Sequence, residues 1–334
     1  MTNRAAFAEA LIAQTPWAGA NRAPLAGDAS NRRYERLTDP VSGRTAVLMD
    51  APPEKGEDVT PFVRVAEYLR SNGLNAPEIY AVDAQSGFLL LEDLGDDLFA
   101  RVLEHEPAKE RALYEAATDV LVHLHKAPLL SVPSYDPKLM TELAALSFTK
   151  YAQRILGQYD VTALARFEDR FSHILQHEAS GTKVVIQRDY HAENLIWLPE
   201  NKGVQRVGLL DFQSAMLGHP AYDLMSLLQD VRRTVSAVTE TQMIDRYLAA
   251  TGLDNHDFRT AYSVLGAQRN LRILGGFARL ATEYGKPHYV DLIPATWSHL
   301  MRDLEHPALA PVADVLHQAL PAPTPENLVK LRMK

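Results

Sequence analysis

The 334-residue chain contains no cysteine, which excludes disulfides and thiolate metal sites. It has no apolar run near the roughly 18 residues needed to cross a membrane, and its first five residues lack the apolar segment of a signal peptide. Aspartate and glutamate outnumber lysine and arginine by 42 to 34, so the positive surface of a nucleic-acid-binding protein is also missing. We therefore expect a cytoplasmic monomer with no membrane or nucleic-acid partner.

The turn near residues 27–31 lacks the standard phosphate-binding sequences, because it matches neither G-x-x-x-x-G-K-[ST] nor G-x-G-x-x-G. Its glycine, aspartate, serine and asparagine still favour a tight turn, and the alternation at 34–37 predicts a strand after it. Backbone N–H groups in such a turn can face phosphate oxygens. The candidate nucleotide contacts are Ser30, Asn31, Arg32 and Arg33. A hairpin with surface arginines is the alternative.

Two short apolar runs end in oxygen-bearing side chains. Asp189 follows the run at 184–186, Asn194 comes five residues later, and Asp211 closes the run at 207–210. Phosphoryl transfer needs a carboxylate that orients the attacking hydroxyl and takes its proton, together with ligands for Mg²⁺. Asp189 suits the first role. Asn194 and Asp211 suit the second, because Mg²⁺ prefers oxygen donors and keeps several waters. Aspartates that only cap turns are the simpler interpretation.

The sequence R-D-Y-x-x-x-N at 188–194, followed by D-F at 211–212, resembles the catalytic loop and metal-binding segment of the protein-kinase-like fold. The form D-Y-H-x-x-N-L is closer to the aminoglycoside phosphotransferase superfamily of small-molecule kinases. This resemblance implies an α+β, bilobal protein-kinase-like fold. A small antiparallel-sheet lobe at 1–93 would bind nucleotide, and a large, mainly helical lobe at 94–334 would carry the catalytic and substrate-binding residues. ATP and Mg²⁺ are the implied cofactors.

Two positions depart from the pattern of that superfamily. Gln187 stands where histidine is usual, two residues before the aspartate. The strand predicted at 45–49 ends in Met49, where a kinase has the lysine that contacts the α- and β-phosphates. Arginine can replace lysine there, because its planar fork matches phosphate oxygens. The candidates are therefore Arg32, Arg33 and Arg36, and a lysine from another position, Lys55, is the alternative.

The strand predicted at 87–92 ends in the acidic sequence E-D-L-G-D-D, where the resemblance places the hinge between the lobes. It implies that the backbone carbonyl of Glu92 and the N–H of Leu94 contact the adenine edge. A strand-to-helix junction with a capping aspartate is the alternative.

Asp223 lies in the first turn of an apolar helix that follows Pro220. A carboxylate there can accept backbone N–H groups, so we expect Asp223 to steady the neighbouring catalytic loop. Near the other end of the chain, the proline-containing segment 321–325 predicts the end of the compact part.

Residues 258–284 predict a helix with one apolar side and one basic side. The apolar side contains Leu274, Phe277, Leu280 and Ala281, and the basic side contains Arg269, Arg272 and Arg279. Either the basic side is solvated, or it forms a wall of the substrate site that Gly275 and Gly276 allow a ligand to approach. Asn270, on the apolar side, needs a hydrogen-bond partner. The expected substrate contacts are His191, Arg269 and Arg272.

Five segments also resemble the anomeric kinases for N-acetylmuramate and N-acetylglucosamine: 27–34, 48–55, 90–95, 210–213 and 268–280. Together they extend over nearly the whole chain. This narrower resemblance implies ATP-dependent phosphorylation of the C1 hydroxyl of one or both amino sugars, in peptidoglycan recycling. In such kinases the absence of the strand lysine is expected.

Two other functions stay open. One is an aminoglycoside, choline or homoserine kinase of the same fold. A polycationic aminoglycoside needs an acidic wall, however, whereas the helix at 258–284 is basic. The other is a nucleotide-binding pseudokinase that acts as a binding module for a partner, which Met49 motivates.

Overall fold

The structure, a computed structural model, describes residues 4–25 and 31–333. Its strands are β1 (Asn21–Leu25), β2 (Arg33–Thr38), β3 (Thr45–Asp50), β4 (Ile79–Asp83), β5 (Phe88–Glu92), β6 (Val184–Ile186), β7 (Leu195–Trp197), β8 (Val207–Leu209) and β9 (Met216–Gly218). Its helices are α1 (Arg4–Ile12), α2 (Thr60–Ser71), α3 (Phe99–His105), α4 (Glu110–Leu124), α5 (Pro137–Ala144), α6 (Gln153–Leu156), α7 (Val161–Glu178), α8 (Ala221–Leu228), α9 (Ala237–Thr251), α10 (Asn255–Glu283), α11 (Ile293–Leu304), α12 (Ala310–Ala319) and α13 (Pro325–Arg332). Within these ranges no helix is both long enough and apolar enough to cross a bilayer.

The described residues form two compact units, and each unit combines two separate stretches of the chain. The first contains the residues up to 127 together with 193–215, and the second contains 128–192 and the residues from 216 onward. The lobe boundary expected between residues 93 and 94 stays a prediction, because a division by packing does not test where lobes begin and end.

In the first unit, an antiparallel sheet of five strands has the order β1-β2-β3-β5-β4, which confirms the predicted sheet. One face buries Leu37, Leu48 and Leu90 in a core that also contains Leu11 and Ile12 of α1. Side chains alternate along a strand, so residues one position before or after these point to the opposite face. That opposite face is the one on which a cavity forms.

The strand pair β7–β8 brings two separated sequence positions together. Leu195 lies opposite Leu209 in the antiparallel register, and the Leu210 N–H donates to the carbonyl of Asn194 at 3.0 Å. Asn194 and Asp211 therefore lie at the same end of this hairpin.

In the second unit, α10 is buried along most of its length and contacts α5, α8 and α11. The helix predicted at 258–284 is thus confirmed, but its basic side is not uniformly solvated. Arg269 is only 3% exposed, whereas Arg279 is exposed. Asn270 has the partners that its position requires, because its Nδ2 donates to Gln229 Oε1 at 2.9 Å and to Asp303 Oδ2 at 3.1 Å.

The prediction that the segment at 321–325 ends the compact part is wrong. Pro325 occupies the first turn of α13, and the Thr324 hydroxyl accepts the Asn327 N–H at the start of that helix. Leu331 is fully buried, and Lys330 donates to the carbonyl of Ile155. Proline at this position starts a helix because its fixed φ suits the first turn and its missing N–H is not needed there.

Candidate active site

The first unit contains a cavity of about 300 Å³ on the sheet face opposite α1. Val47 and Leu91 give it apolar walls, Glu92 at the end of β5 lines it, and the segment after β5 adds Leu94. Asn194 and Asp211 also line it. The structure thus brings together four of the residues that the sequence assigned to nucleotide and metal binding: Glu92, Leu94, Asn194 and Asp211. A mostly apolar cavity with a few polar groups at one end suits a small ligand such as a nucleotide.

The backbone at Asp211 is held in an unusual conformation, with φ of +54°. Positive φ is uncommon for a residue with a side chain and recurs at functional sites. The next residue, Phe212, is fully buried and packs against Phe62 of α2, with ring centroids 4.8 Å apart. The Gln213 amide donates to Asp211 Oδ1 at 2.6 Å. These contacts fix the direction of the Asp211 carboxylate.

The oxygens of Asn194 and Asp211 fit Mg²⁺ in their chemistry, because Mg²⁺ prefers oxygen ligands. Within residues 4–25 and 31–333 there is no group of three or more His, Cys, Asp or Glu that could hold a metal ion. A cation at Asn194 and Asp211 would therefore need further oxygens, from water and phosphate, to complete its coordination.

The other predicted nucleotide contacts lie at the start of β2. Ser30 falls outside the described residues. Asn31 donates its backbone N–H to Glu57 at 3.0 Å, and Arg32 Nε donates to the same carboxylate at 2.9 Å. Arg33 is exposed and lies opposite Asp50 in the β2–β3 register.

The Glu92 side chain is engaged with protein groups at the edge of the cavity. It accepts the Glu78 N–H at 3.0 Å and contacts Arg70 at 3.4 Å. The backbone N–H of Glu92 donates to the Glu78 carbonyl at 2.7 Å. A ligand contact through the backbone of Glu92 or Leu94 stays a prediction.

In the second unit, Asp223 holds the loop that carries Asp189. Its two carboxylate oxygens accept the N–H groups of Gln187 at 2.6 Å and Arg188 at 2.9 Å. Asp223 is fully buried, and burial raises its pKa to about 7 although these two bonds favour the ionised form. Arg188 has φ of +73° and places its guanidinium over the ring of Tyr135, 4.9 Å from the centroid. Asp223 thus has the geometry of the supporting role that the sequence predicted.

Asp189 is surrounded by cations. Its side chain is 34% exposed, and Arg272 Nη2 lies 3.7 Å from its Oδ1. Burial raises the pKa of Asp189, but the charges of Arg272, Arg188 and Arg269 outweigh it, so the pKa is lowered overall. Asp189 is therefore ionised at neutral pH, as a group that accepts a proton must be.

The other predicted substrate residues lie around the same carboxylate. Arg269 is nearly fully buried, and its Nε and Nη1 make no hydrogen bond with the residues that the structure describes. Burial lowers the pKa of His191 to about 4, so its imidazole is neutral at pH 7. The electrostatic interactions of Asp189 include Arg269, Arg272 and His191, so the structure groups the three predicted residues with it.

Sequence reasoning missed Asp230, which belongs to this group. Asp230 is 2% exposed and interacts electrostatically with His191 and Arg269. Its Oδ2 makes no hydrogen bond within the described part of the chain. Asp230 lies two residues beyond the end of α8 at Leu228, so helical spacing from Asp223 does not identify it and the sequence carries no signal for it.

These features define a phosphotransferase, and the chain belongs to the phosphotransferase enzyme family, whose profile matches residues 21–262. A protein of Caulobacter vibrioides named N-acetylmuramate/N-acetylglucosamine kinase is 39% identical, over 97% of this chain and 98% of its own length. A protein of the same name from Pseudomonas aeruginosa is 33% identical, over 88% of this chain and 87% of its own.

Solved structures show the same fold at low sequence identity. A choline/ethanolamine kinase family protein from Mesorhizobium loti has a TM-score of 0.64 at 14% identity, covering 95% of this chain and all of its own. A GDP complex of an aminoglycoside 2′-phosphotransferase has a TM-score of 0.62 at 16% identity, covering 91% and 98%. The predicted protein-kinase-like fold is thus confirmed.

Proposed function

We propose that this protein is an ATP-dependent kinase that phosphorylates the anomeric C1 hydroxyl of N-acetylmuramate, N-acetylglucosamine or both. The observation that carries the proposal is the similarity along 97% of the chain to a protein named for these two sugars. The cations beside Asp189 agree with it, because a neutral or carboxylate-bearing acceptor is compatible with Arg269 and Arg272.

In the proposed reaction, a bond forms between the acceptor oxygen and the γ-phosphorus as the bond from that phosphorus to the β-phosphate oxygen breaks. Asp189 orients the sugar hydroxyl and accepts its proton. Asn194 and Asp211 would hold Mg²⁺, which would neutralise part of the phosphate charge. The rate then comes mainly from positioning and from charge stabilisation. An anomeric hydroxyl is more acidic than an ordinary alcohol, which eases the demand on Asp189.

The acceptor in this proposal is bound by Arg269, Arg272, His191 and Asp230. A neutral imidazole and a carboxylate can exchange hydrogen bonds with sugar hydroxyls, while the arginines attract an acceptor carboxylate. Adenine contacts the backbone of Glu92 and Leu94. We further propose a monomer that acts in the cytoplasm in peptidoglycan recycling.

A panel of acceptors tests the proposal. The purified protein is incubated with Mg·ATP and either N-acetylmuramate, N-acetylglucosamine, kanamycin or choline; ADP release is measured and the product is identified by phosphorus NMR. We expect a sugar 1-phosphate from at least one amino sugar and no product from kanamycin or choline, whose positive charge Arg269 and Arg272 repel. Phosphorylation of kanamycin or choline alone would contradict the choice of acceptor. Nucleotide binding without turnover of any acceptor would favour the pseudokinase.

The variant Asp189→Asn tests the assignment of the proton acceptor. We expect turnover to be lost, because the amide cannot take the proton, while Mg·ATP still binds with the affinity of the unmodified protein. Isothermal titration calorimetry measures that binding, and ADP release measures turnover. Retained turnover would refute the role of Asp189.

A further inference from the structure

The cavity of the first unit contains several carboxylates, so phosphates that bind there need a nearby positive charge. The cavity wall contains acidic residues, among them Asp93, Asp96 and Asp211, and a nucleotide brings negatively charged phosphates to it. Its cations are Arg36 and Arg101, and Arg101 is exposed and interacts with Asp96. Met49 occupies the strand position at which a kinase of this fold has lysine. A cation must therefore come from elsewhere if phosphates are to bind beside Asp211.

Strand geometry separates the arginines of β2 into two groups. Tyr34 and Arg36 line the cavity, whereas Leu37 lies in the core on the other face. Since side chains alternate, Arg33 shares the face of Leu37. Arg32 lies one residue before β2, and its guanidinium hydrogen-bonds Tyr34, whose side chain lines the cavity. Exposure agrees, because Arg33 is exposed while the Arg32 side chain is only 11% exposed.

Arg36 and Lys55 are less suited to bind phosphate. Arg36 contacts Asp93 at 2.6 Å through Nε and holds Asp96 with two nitrogens, at 2.7 and 3.0 Å. These carboxylates already compensate its charge. Lys55 is exposed at the end of a short 3-10 turn.

Arg32 is held in place by two neighbours. Its Nε donates to Glu57 at 2.9 Å, in an ion pair whose side chains are 11% and 12% exposed. Its guanidinium also hydrogen-bonds the Tyr34 hydroxyl, and Tyr34 interacts electrostatically with Asp211. Tyr34 lies directly opposite Met49 in the β2–β3 register. Glu57, Arg32 and Tyr34 are thus joined by hydrogen bonds, and Tyr34 is close enough to Asp211 to interact with its charge.

We propose that Arg32, oriented by Glu57 and Tyr34, supplies the phosphate-binding positive charge that the strand lysine supplies in other kinases of this fold. A guanidinium has five N–H donors, so it can hold a carboxylate and a hydroxyl and still donate to a phosphate. The ion pair with Glu57 resembles the pairing of the strand lysine with a glutamate in those kinases, where it positions the cation. This inference rests on the proposed nucleotide site, but not on the identity of the sugar.

The test compares binding of Mg·ADP with binding of adenosine, both by calorimetry and without any acceptor. We expect Arg32→Ala to weaken Mg·ADP binding by about 100-fold and to leave adenosine binding unchanged, because only the phosphates lose a contact. Arg32→Lys should recover part of the loss. Glu57→Gln should lose less than Arg32→Ala, because the guanidinium remains but is less well oriented. The matched control is Arg64→Ala, an exposed arginine on α2, which should change neither affinity.

Several outcomes would overturn the proposal. Unchanged Mg·ADP binding in Arg32→Ala would do so, and so would an equal loss for ADP and adenosine, which would indicate a purely structural ion pair. A larger loss in Arg33→Ala than in Arg32→Ala would assign the role to Arg33. If Arg32→Ala does not fold, the comparison rests on Arg32→Lys and Glu57→Gln, and wild-type ADP affinity in both would refute it. Failure of the unmodified protein to bind Mg·ADP would overturn the nucleotide site itself, whereas failure of every sugar would leave this test intact.

Discussion

At the residue scale, the ionisation of Asp189 depends on its neighbours more than on its burial. Burial alone would raise the pKa of Asp189, but Arg272 and the other nearby arginines bring it below its ordinary value. The proposed role of Asp189 as proton acceptor requires its ionised form, so we expect activity to be lost as the pH falls through this pKa. The lowered pKa of Asp189 should therefore let activity persist to lower pH.

The variant Arg272→Gln should move the acid limb of the kcat/KM profile to higher pH, because the pKa of Asp189 rises when its closest cation is removed. The profile is measured with the preferred sugar from neutral pH down to below pH 4, because the pKa of Asp189 lies below the ordinary value of 3.8. Arg259→Gln is the control, since Arg259 lies on the same helix but pairs with Asp245 on the surface. A lower rate with an unmoved limb would mean that Arg272 acts only in binding.

Asp223 shows how a buried residue can hold the loop that carries Asp189, the proposed proton acceptor. Asn at this position keeps one oxygen acceptor, but its NH₂ group would face a backbone N–H of Gln187 or Arg188. We expect Asp223→Asn to destabilise the protein by about 1–3 kcal/mol and to lower kcat by about 100-fold, because Asp189 is displaced.

The control for Asp223→Asn is Asp303→Asn. Asp303 is also a buried carboxylate that accepts two hydrogen bonds, from Gln229 and Asn270, but it has no bond to the 187–189 backbone. It should lose stability and keep the kcat of the folded protein. Denaturation in urea gives the free energies of unfolding, and ADP release gives kcat. Equal losses of kcat in the two variants would argue against a specific role for Asp223.

At the element scale, α10 illustrates what a helical pattern can and cannot predict. The pattern located the helix to within a few residues, since the sequence predicted 258–284 and the structure has Asn255–Glu283. It could not show that the basic side is partly buried, because that depends on segments such as α5 and α8 that pack there. The sequence predicted that Gly275 and Gly276 would both let a substrate come close to the helix, but the two glycines have different surroundings.

The glycines of α10 give a matched pair of variants. A Cβ at Gly275 would lie 2.3 Å from the carbonyl carbon of Leu146, whereas one at Gly276 would meet nothing within 4 Å. Gly275→Ala should therefore destabilise the protein by about 1–3 kcal/mol. Gly276→Ala should stabilise it by up to about 1 kcal/mol, because alanine is the better helix former. Thermal melting measures both, and equal shifts in the two variants would contradict the close contact at Leu146.

The catalytic elements were only partly predictable from the chain. The sequence correctly placed the strands before Asp189 and Asp211, because short apolar runs end where polar residues begin. It did not predict β7, which follows Asn194. It gave no sign of the ion pair between Arg32 and Glu57, which are 25 positions apart, or of Asp230 beside Arg269. Positive φ at Arg188 and Asp211 also had no sequence signal, because neither residue is glycine.

At the scale of the whole molecule, buried titratable groups should change the free energy of unfolding with pH in opposite directions. Burial raises the pKa of Asp303 to about 7, so the folded state keeps a proton that the unfolded chain has released above its ordinary pKa of 3.8. That contribution is full below about pH 4 and is lost as the pH rises toward 7. Burial lowers the pKa of His191 and His219 to about 4, which acts in the other direction between about pH 4 and 6.5.

A difference measurement isolates Asp303 from these histidines. We expect the free energy of unfolding of the unmodified protein, relative to Asp303→Asn, to be larger at pH 5 than at pH 8, with the decrease complete shortly above pH 7. The histidines contribute equally to both proteins and cancel. Urea denaturation at pH 5, 6, 7 and 8 gives the difference, and a difference that grows with pH would have the wrong sign for a raised pKa.

The sequence by itself determined the family, the main strands and helices, and the side chains suited to phosphoryl transfer. It could do so because periodicity and chemical identity are local properties of the chain. Only the tertiary structure decided which cations stand beside Asp189, which carboxylate holds the loop before it, and which arginine lies next to Tyr34. Those relations join residues that are distant in the chain, and the burial that sets their charges exists only after the chain has folded.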